Sequence, residues 1–217
     1  MATDFNKKYG LVAEPVLDDA AVLSPDSLSS MFVRVDTGLM ASLNDVQTAL
    51  AQILLIPQVP ESVSSTFRIA KRLYLFGRFE YGFYTVSHRY AFGAIEAAIL
   101  CRWTASLPNP VTVEGNDLLQ HMSSPSHGKL AELWMNTGRM LLVDNLPFPY
   151  SPTTVLKRLR EASIIDAVTA NRLSAVVGLR NDLSHHESST VVPPSTRTLS
   201  MAAELINTLF DSLPYTP

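Results

Sequence analysis

Apolar residues recur at intervals of three and four along most of the chain, which is the spacing of one face of an α-helix. In "ASLNDVQTALAQILLIP" this pattern stops at Pro57 and predicts a helix. Longer helices are predicted from about Ser62 to Phe76, closed by Gly77, and from about Tyr81 to Thr104. Four more are predicted over "SHGKLAELWMNTGRM", "SPTTVLKRLREASI", "DAVTANRLSAVVGLRNDLSHH" and "RTLSMAAELINTLFDSL".

The segments between these helices are rich in Pro, Ser, Gly and Asn. "SLPNPVTVEGNDLLQHMSSPSHG" is predicted to be a loop with one helical turn at most, and only short pieces such as "VTV" are typical of a strand. The fold class predicted is all-α, a helical bundle with long connecting loops. Residues 1–60 are predicted to form an N-terminal arm and helical extension, with a helix start at Ser24 and Pro25, and residues 61–217 the main helical domain.

The composition excludes an extended basic surface as the basis of function. The 217 residues are 47% hydrophobic and only 17% charged, and their net charge is −3. Residues 1–60 carry three basic and seven acidic side chains, and residues 61–110 carry six basic and three acidic. Nucleic-acid binding would therefore depend on a local site, because the chain as a whole does not attract a polyanion.

Cysteine usage and the apolar runs indicate a cytoplasmic protein. The single cysteine, Cys101, cannot form an intramolecular disulfide, which suits a reducing compartment. The first residues lack the apolar core of a secretory signal, and runs such as "ALAQILLI" are far shorter than the roughly 20 residues that span a bilayer. We therefore expect a soluble, cytoplasmic protein that does not interact with membranes.

Metal and cofactor sites are not indicated. His88, His121 and His127 show no metal-ligand spacing with a cysteine or an acidic pair. The segment "GRFEYG" lacks the pattern of a phosphate-binding loop. No metal and no cofactor are expected.

An arginine interrupts the apolar stripe of the helix that contains "VVGLRNDLSHHES". With Leu173 at zero on a helical wheel, Val176, Val177 and Leu183 fall within roughly 80° of it, and Arg180 falls near the middle of that stripe. Arginine is rarely buried unless it is paired. Arg180 therefore either has a partner or lies at the edge of the stripe with its charged end in water.

Three nearby residues share one shoulder of the same helix: Gly178, Asn181 and His185. A glycine inside a helix costs roughly 1 kcal/mol relative to alanine, so it indicates either close approach of another molecule or a loosened helix end. Arg180 and His185 point roughly 140° apart on a straight helix. They can act together only if the arginine side chain curls, the helix ends between them, or a second subunit completes the site.

A second charge lies in an apolar helix, in "YAFGAIEAAILCRW". Glu96 is the only charged residue between Arg89 and Arg102, and large apolar residues share its face. A carboxylate is costly to bury unless it is paired. An ion pair with Arg89 or with Arg180 is the structural explanation, and a role in a site is the alternative.

These features resemble the HEPN domain family of all-helical RNase and nucleotide-binding domains. The motif "RNDLSH" is similar to the family's arginine, polar residue, short spacer and histidine. The helix "SHRYAFGAIEAAI", with its embedded glutamate, precedes the motif, while a variable loop and the closing helix "LSMAAELINTLF" follow it. The resemblance covers roughly Ser62 to Leu213 and implies a helical bundle of HEPN type.

The resemblance implies roles for four residues. Arg180 and His185 would be the catalytic pair, Asn181 would shape the site, and Glu96 would be a supporting acidic residue. His186 duplicates the histidine one place beyond the match, so it is a supporting candidate with no primary role. The resemblance further implies a metal-independent endoribonuclease that cleaves RNA at a dimer interface to 2′,3′-cyclic phosphate and 5′-hydroxyl ends. Such an enzyme would be a toxin or an antiviral effector, held in check by an antitoxin or another regulatory protein.

Two other hypotheses fit the same residues. The chain could be a non-catalytic HEPN-like dimer that binds a nucleotide or a protein, and its low charge content favours this alternative. It could also be a helical domain in which Arg180 simply pairs with Glu96. RNA cleavage separates the first hypothesis from both of these.

Overall fold

The computed structural model describes residues 42–185 and 195–211 together with Lys8 and Gly10, and for residues 181–185 it describes the backbone alone. This part of the chain contains seven helices and one four-stranded sheet. The helices are α1 Leu43–Ala51, α2 Glu61–Phe76, α3 Gly82–Thr104, α4 His127–Asn136, α5 Pro152–Glu161, α6 Ala167–His185 and α7 Thr196–Phe210. The helix start predicted at Ser24 and Pro25 lies outside the described residues.

The chain divides into two compact units. The first comprises Met1–Ile95 and Gly178–Pro217, and the second comprises Glu96–Val177. Helices α3 and α6 each run from one of these ranges into the other, so both long helices contribute residues to both units.

Capping residues and a close contact set the helix bounds in the first unit. Ser42 accepts a hydrogen bond from the Asp45 amide while the Asp45 carboxylate accepts one from the Ser42 amide, which is a capping box for α1. Helix α2 ends at Gly77, as predicted. A Cβ atom on Gly77 would lie 2.6 Å from the ring of Tyr84, so only glycine permits this approach of α3.

The core of the first unit consists of apolar helix faces and one buried amide. Val63, Phe67 and Ala70 of α2 are buried at helical spacing. Asn207 of α7 is 3% exposed, and its side chain accepts a hydrogen bond from the Ile56 amide and donates one to the Leu54 carbonyl. The irregular segment after α1 therefore has its backbone groups satisfied by a helix distant in sequence.

The prediction of a purely helical fold is wrong in the second unit, where residues 111–147 contain an antiparallel sheet. The strands are β1 Val111–Gly115, β2 Leu118–Met122, β3 Leu142–Val143 and β4 Leu146–Pro147, in the order β2-β1-β3-β4. Only "VTV" in β1 was recognisable as a strand from the sequence. The other strands form because tight turns join β1 to β2 and β3 to β4. Asn116 in the first turn, and Asp144 and Asn145 in the second, adopt the left-handed conformation that closes short hairpins.

Helices in the second unit begin where the sequence predicts them. Ser126 caps α4 and Ser151 caps α5, and Pro152 occupies the first turn of α5. One face of the sheet is buried, with Val111 and Val113 fully inaccessible and Val143 nearly so. The alternation of strand residues thus leaves the opposite face of β1 half-buried.

Candidate functional site

The residues that resemble the HEPN motif lie on the last two turns of α6. The apolar stripe predicted for this helix is confirmed at Leu173, Val176 and Val177, which are 0%, 4% and 6% exposed. The side chain of Leu183, the fourth predicted member, lies outside the described residues. The stripe leads directly into the motif, so burial of its apolar residues fixes the path of the motif backbone.

Arg180 is half-buried on this helix. The helical wheel places it on the apolar stripe, but its exposure is intermediate, whereas Val176 and Val177 are buried. Arg180 engages in an interaction within the protein. A long guanidinium side chain at such a place has its apolar stem covered and its charged end within reach of solvent or a ligand.

The helix continues through His185 without a break between the two proposed catalytic residues. Asn181 and His185 belong to α6 by their backbone, and their side chains lie outside the described residues, as does all of His186. Five residues of helix separate the Cα atoms of Arg180 and His185 by about 7.5 Å along the axis and roughly 140° around it. The continuous helix excludes a helix end between Arg180 and His185. A curled arginine side chain and a second subunit are the two remaining ways for these residues to act together.

The shoulder that bears Gly178 is open. A Cβ atom added to Gly178 would meet no heavy atom of the described chain within 4 Å, and Leu179 beside it is 51% exposed. The described residues therefore make no close approach to Gly178, and both interpretations of this glycine, an approaching molecule and a loosened helix end, stay open.

Replacement of Gly178 by alanine is expected to stabilise the isolated chain by roughly 1 kcal/mol, because alanine restricts the unfolded state and favours helix. Gly93 of α3 is a matched control, since a Cβ atom there also meets nothing within 4 Å. Chemical denaturation should show a similar gain for both variants. If the Gly178 shoulder packs against a second subunit, only Gly178→Ala will weaken self-association in sedimentation; equal self-association of the two variants would contradict that packing.

Glu96 lies on α3 and is half-buried. Its apolar helix neighbours Phe92, Ile95 and Ile99 are buried, as the sequence predicts. Glu96 engages in an interaction within the protein. Glu96 is the first residue of the second unit, whereas Arg180, Asn181 and His185 belong to the first.

The sequence did not identify a fully buried histidine in the first unit. His88 is 0% exposed, and neither ring nitrogen has a hydrogen-bond partner among the described residues. Burial lowers the pKa of His88 from 6.5 to about 4, so its ring is neutral near pH 7. The available sequence signal was helical spacing, since His88 lies four residues after Tyr84, three before Ala91 and seven before Ile95, all of which are buried.

Arg102 of α3 is a second buried polar group, in the second unit. It is 8% exposed, and its Nε atom has no hydrogen-bond partner within residues 42–185 and 195–211. Burial lowers the pKa of its guanidinium from the ordinary value. Because arginine retains its charge in proteins, the burial of the Arg102 guanidinium lowers the stability of the fold.

Among the described residues, no group of three or more His, Cys, Asp or Glu side chains is arranged to hold a metal ion. None of the helices in residues 42–185 and 195–211 is long and apolar enough to cross a membrane.

No protein-family model, curated protein or solved structure matches this chain significantly. The HEPN resemblance accordingly rests on the motif and on the order of the helices around it. It stays a prediction.

Proposed function

We propose that the protein is a metal-independent endoribonuclease of HEPN type, with Arg180 and His185 as its catalytic residues and Asn181 shaping the site. The observation that carries the proposal is the course of α6: an apolar, buried stripe continues into a helical end that bears a half-buried arginine and, five residues later, a histidine. Glu96 and His186 are proposed as supporting residues. The closing helix α7 follows the motif, in the order that the resemblance implies.

The chemistry needs three groups and no metal. A base removes the proton of the ribose 2′-hydroxyl, whose oxygen attacks the adjacent phosphorus. The bond from phosphorus to the 5′-oxygen breaks, and an acid protonates that leaving oxygen. The products are a 2′,3′-cyclic phosphate and a 5′-hydroxyl. Histidine serves as base or acid near neutral pH, and the Arg180 guanidinium stabilises the negative charge of the transition state.

A two-fold dimer is proposed as the active species. One chain supplies only one motif histidine, and the reaction uses both a base and an acid. The separation of roughly 140° between Arg180 and His185 on a continuous helix also favours completion of the site by a second subunit. Exposed Leu179 and the open space at Gly178 are suited to an isologous contact there.

A nuclease of this kind would damage its own cell if it were always active. We therefore propose a toxin or an antiviral defence effector, acting in the cytoplasm and inhibited by an antitoxin or another regulatory protein. RNA is its proposed substrate.

A non-catalytic dimeric module that binds a nucleotide or a protein is the second candidate. The exposed Leu179 favours it, because an apolar residue beside an open helix shoulder is typical of an interface. In that case Arg180→Ala would impair dimerisation or stability, with no loss of an RNase activity. Incubation of the purified protein with RNA in EDTA separates the two: cleavage to cyclic phosphate ends is expected, and intact RNA would favour the binding module.

A further inference from the structure

A cleft has a volume of about 830 Å³, and all the residues that line it belong to the second unit. None of them belongs to the α6 motif. The floor of the cleft is the exposed face of the sheet. The strand register aligns four side chains in a row across all four strands, in the order Leu119, Glu114, Leu142 and Pro147. Each of them lines the cleft. The floor is thus apolar with a single carboxylate, that of Glu114, within it.

The wall of the cleft consists of aromatic side chains and a cation. The rings of Trp134 and Tyr150 are stacked, with centroids 5.2 Å apart and planes within 4° of parallel. The Arg139 guanidinium carbon lies 5.6 Å from the centre of the Trp134 ring. Tyr150 remains 61% exposed, so its ring offers surface to a ligand.

The backbone segment after α4, which carries Arg139, has an unusual conformation. Arg139 adopts a left-handed φ of 67°, which is uncommon for a residue with a long side chain. The hairpin packs closely on the same segment, since a Cβ atom on Gly115 would lie 2.6 Å from the Met140 carbonyl oxygen. The Asn116 side chain donates a hydrogen bond to the Thr137 carbonyl. The cleft is therefore built by specific contacts between the hairpin and the end of α4.

We propose that this cleft binds a guanine nucleotide, either free or as an unpaired guanosine of single-stranded RNA. A planar base stacks on Tyr150, since aromatic side chains bind bases through their π faces. The Glu114 carboxylate offers two acceptor oxygens, and guanine is the RNA base with two adjacent donors on its pairing edge, N1–H and N2–H₂. Arg139 is the cation for the phosphate. The inference goes beyond the proposed function and does not rest on it, because none of these residues belongs to the α6 motif.

The test is equilibrium binding of GMP, AMP and a short single-stranded RNA containing guanosine, measured by calorimetry with the full chain. GMP should bind more tightly than AMP, whose pairing edge presents one donor and one acceptor. Tyr150→Ala should weaken GMP binding by roughly 5- to 150-fold, the range for loss of one stacked base. Tyr90→Ala, which removes a tyrosine of 41% exposure from the first unit, is the matched control and should leave binding unchanged.

A second variant isolates the base edge. Glu114→Gln replaces one acceptor with a donor, so it should weaken GMP binding and leave AMP binding almost unchanged. Because the α6 motif is itself a proposed RNA site, binding of the RNA but not of free GMP identifies an RNA subsite in the cleft only where Tyr150→Ala weakens that binding. Binding of GMP in preference to AMP identifies a nucleotide site, and either result supports the proposal. Binding of neither ligand, equal affinity for GMP and AMP, or full affinity in Tyr150→Ala would overturn it.

Discussion

Replacement of His185 by alanine is expected to slow RNA cleavage by about 10²- to 10⁴-fold, the range that one acid–base group contributes. The variant should fold like the wild type, because His185 is the last residue of α6 and follows the buried stripe without belonging to it. His121→Ala is the matched control, since His121 is an exposed histidine of the sheet and has no proposed role in cleavage. Its cleavage rate should equal that of the wild type.

The same variant tests the dimer. If the reaction uses both motif histidines, a mixed dimer of wild-type and His185→Ala subunits is inactive. A ninefold excess of the variant, after subunit exchange, should then lower the activity of a fixed amount of wild type to about one tenth, by random pairing. His121→Ala in the same excess should add activity. If the subunits are shown to have exchanged and the wild-type activity in the His185→Ala mixture is undiminished, a site shared between subunits is contradicted.

His88 is expected to make the protein markedly less stable in mild acid. The unfolded chain binds a proton at His88 below its ordinary pKa of 6.5, whereas burial keeps the folded group neutral down to about pH 4. The unfolded state therefore binds more protons in this window, and the free energy of unfolding falls as the pH falls from about 6.5 to about 4. The pKa difference corresponds to a loss of about 3 kcal/mol.

Comparison with His88→Leu isolates this contribution. Leucine is similar in size, does not titrate, and removes two buried nitrogen atoms that have no partner among the described residues. Denaturant unfolding at pH 7 and pH 4 should show the wild type losing about 3 kcal/mol more than the variant between the two pH values. His127, whose pKa burial also lowers, is common to both proteins and cancels from the comparison. Equal losses would show that His88 does not titrate as a buried group.

The helices could be predicted from the sequence because their signals are local. The end of α2 follows from Gly77, and the start of α5 follows from Ser151 and Pro152, because each of these residues acts on the turn of helix beside it. The sheet could not be predicted in the same way. Strands of two residues such as β3 and β4 have too few positions to show alternation. They are specified by a turn with two left-handed residues and by the pairing of β3 with β1 and of β4 with β3.

The candidate site was predictable in part. The positions of Arg180 and His185 on one helix follow from periodicity, and so does the burial of Leu173. Periodicity could not reveal that Gly178 faces open space whereas Gly77 faces a ring of Tyr84, because that difference depends on which residues pack against each helix. The same holds for the cleft, whose row of side chains arises only when four strands pair in register.

The most direct test of the central proposal is the cleavage of RNA by the purified protein in EDTA, with wild type, His185→Ala and Arg180→Ala compared at equal concentration. Arg68→Ala is the matched control for the arginine variant, because Arg68 is exposed and pairs with Glu61 on the surface of α2. The wild type and Arg68→Ala are predicted to leave 2′,3′-cyclic phosphate and 5′-hydroxyl ends. The two motif variants are predicted to cleave the RNA far more slowly, by about 10²- to 10⁴-fold for His185→Ala. RNA that stays intact with the wild type, or that is cut equally by all four proteins, would contradict the assignment.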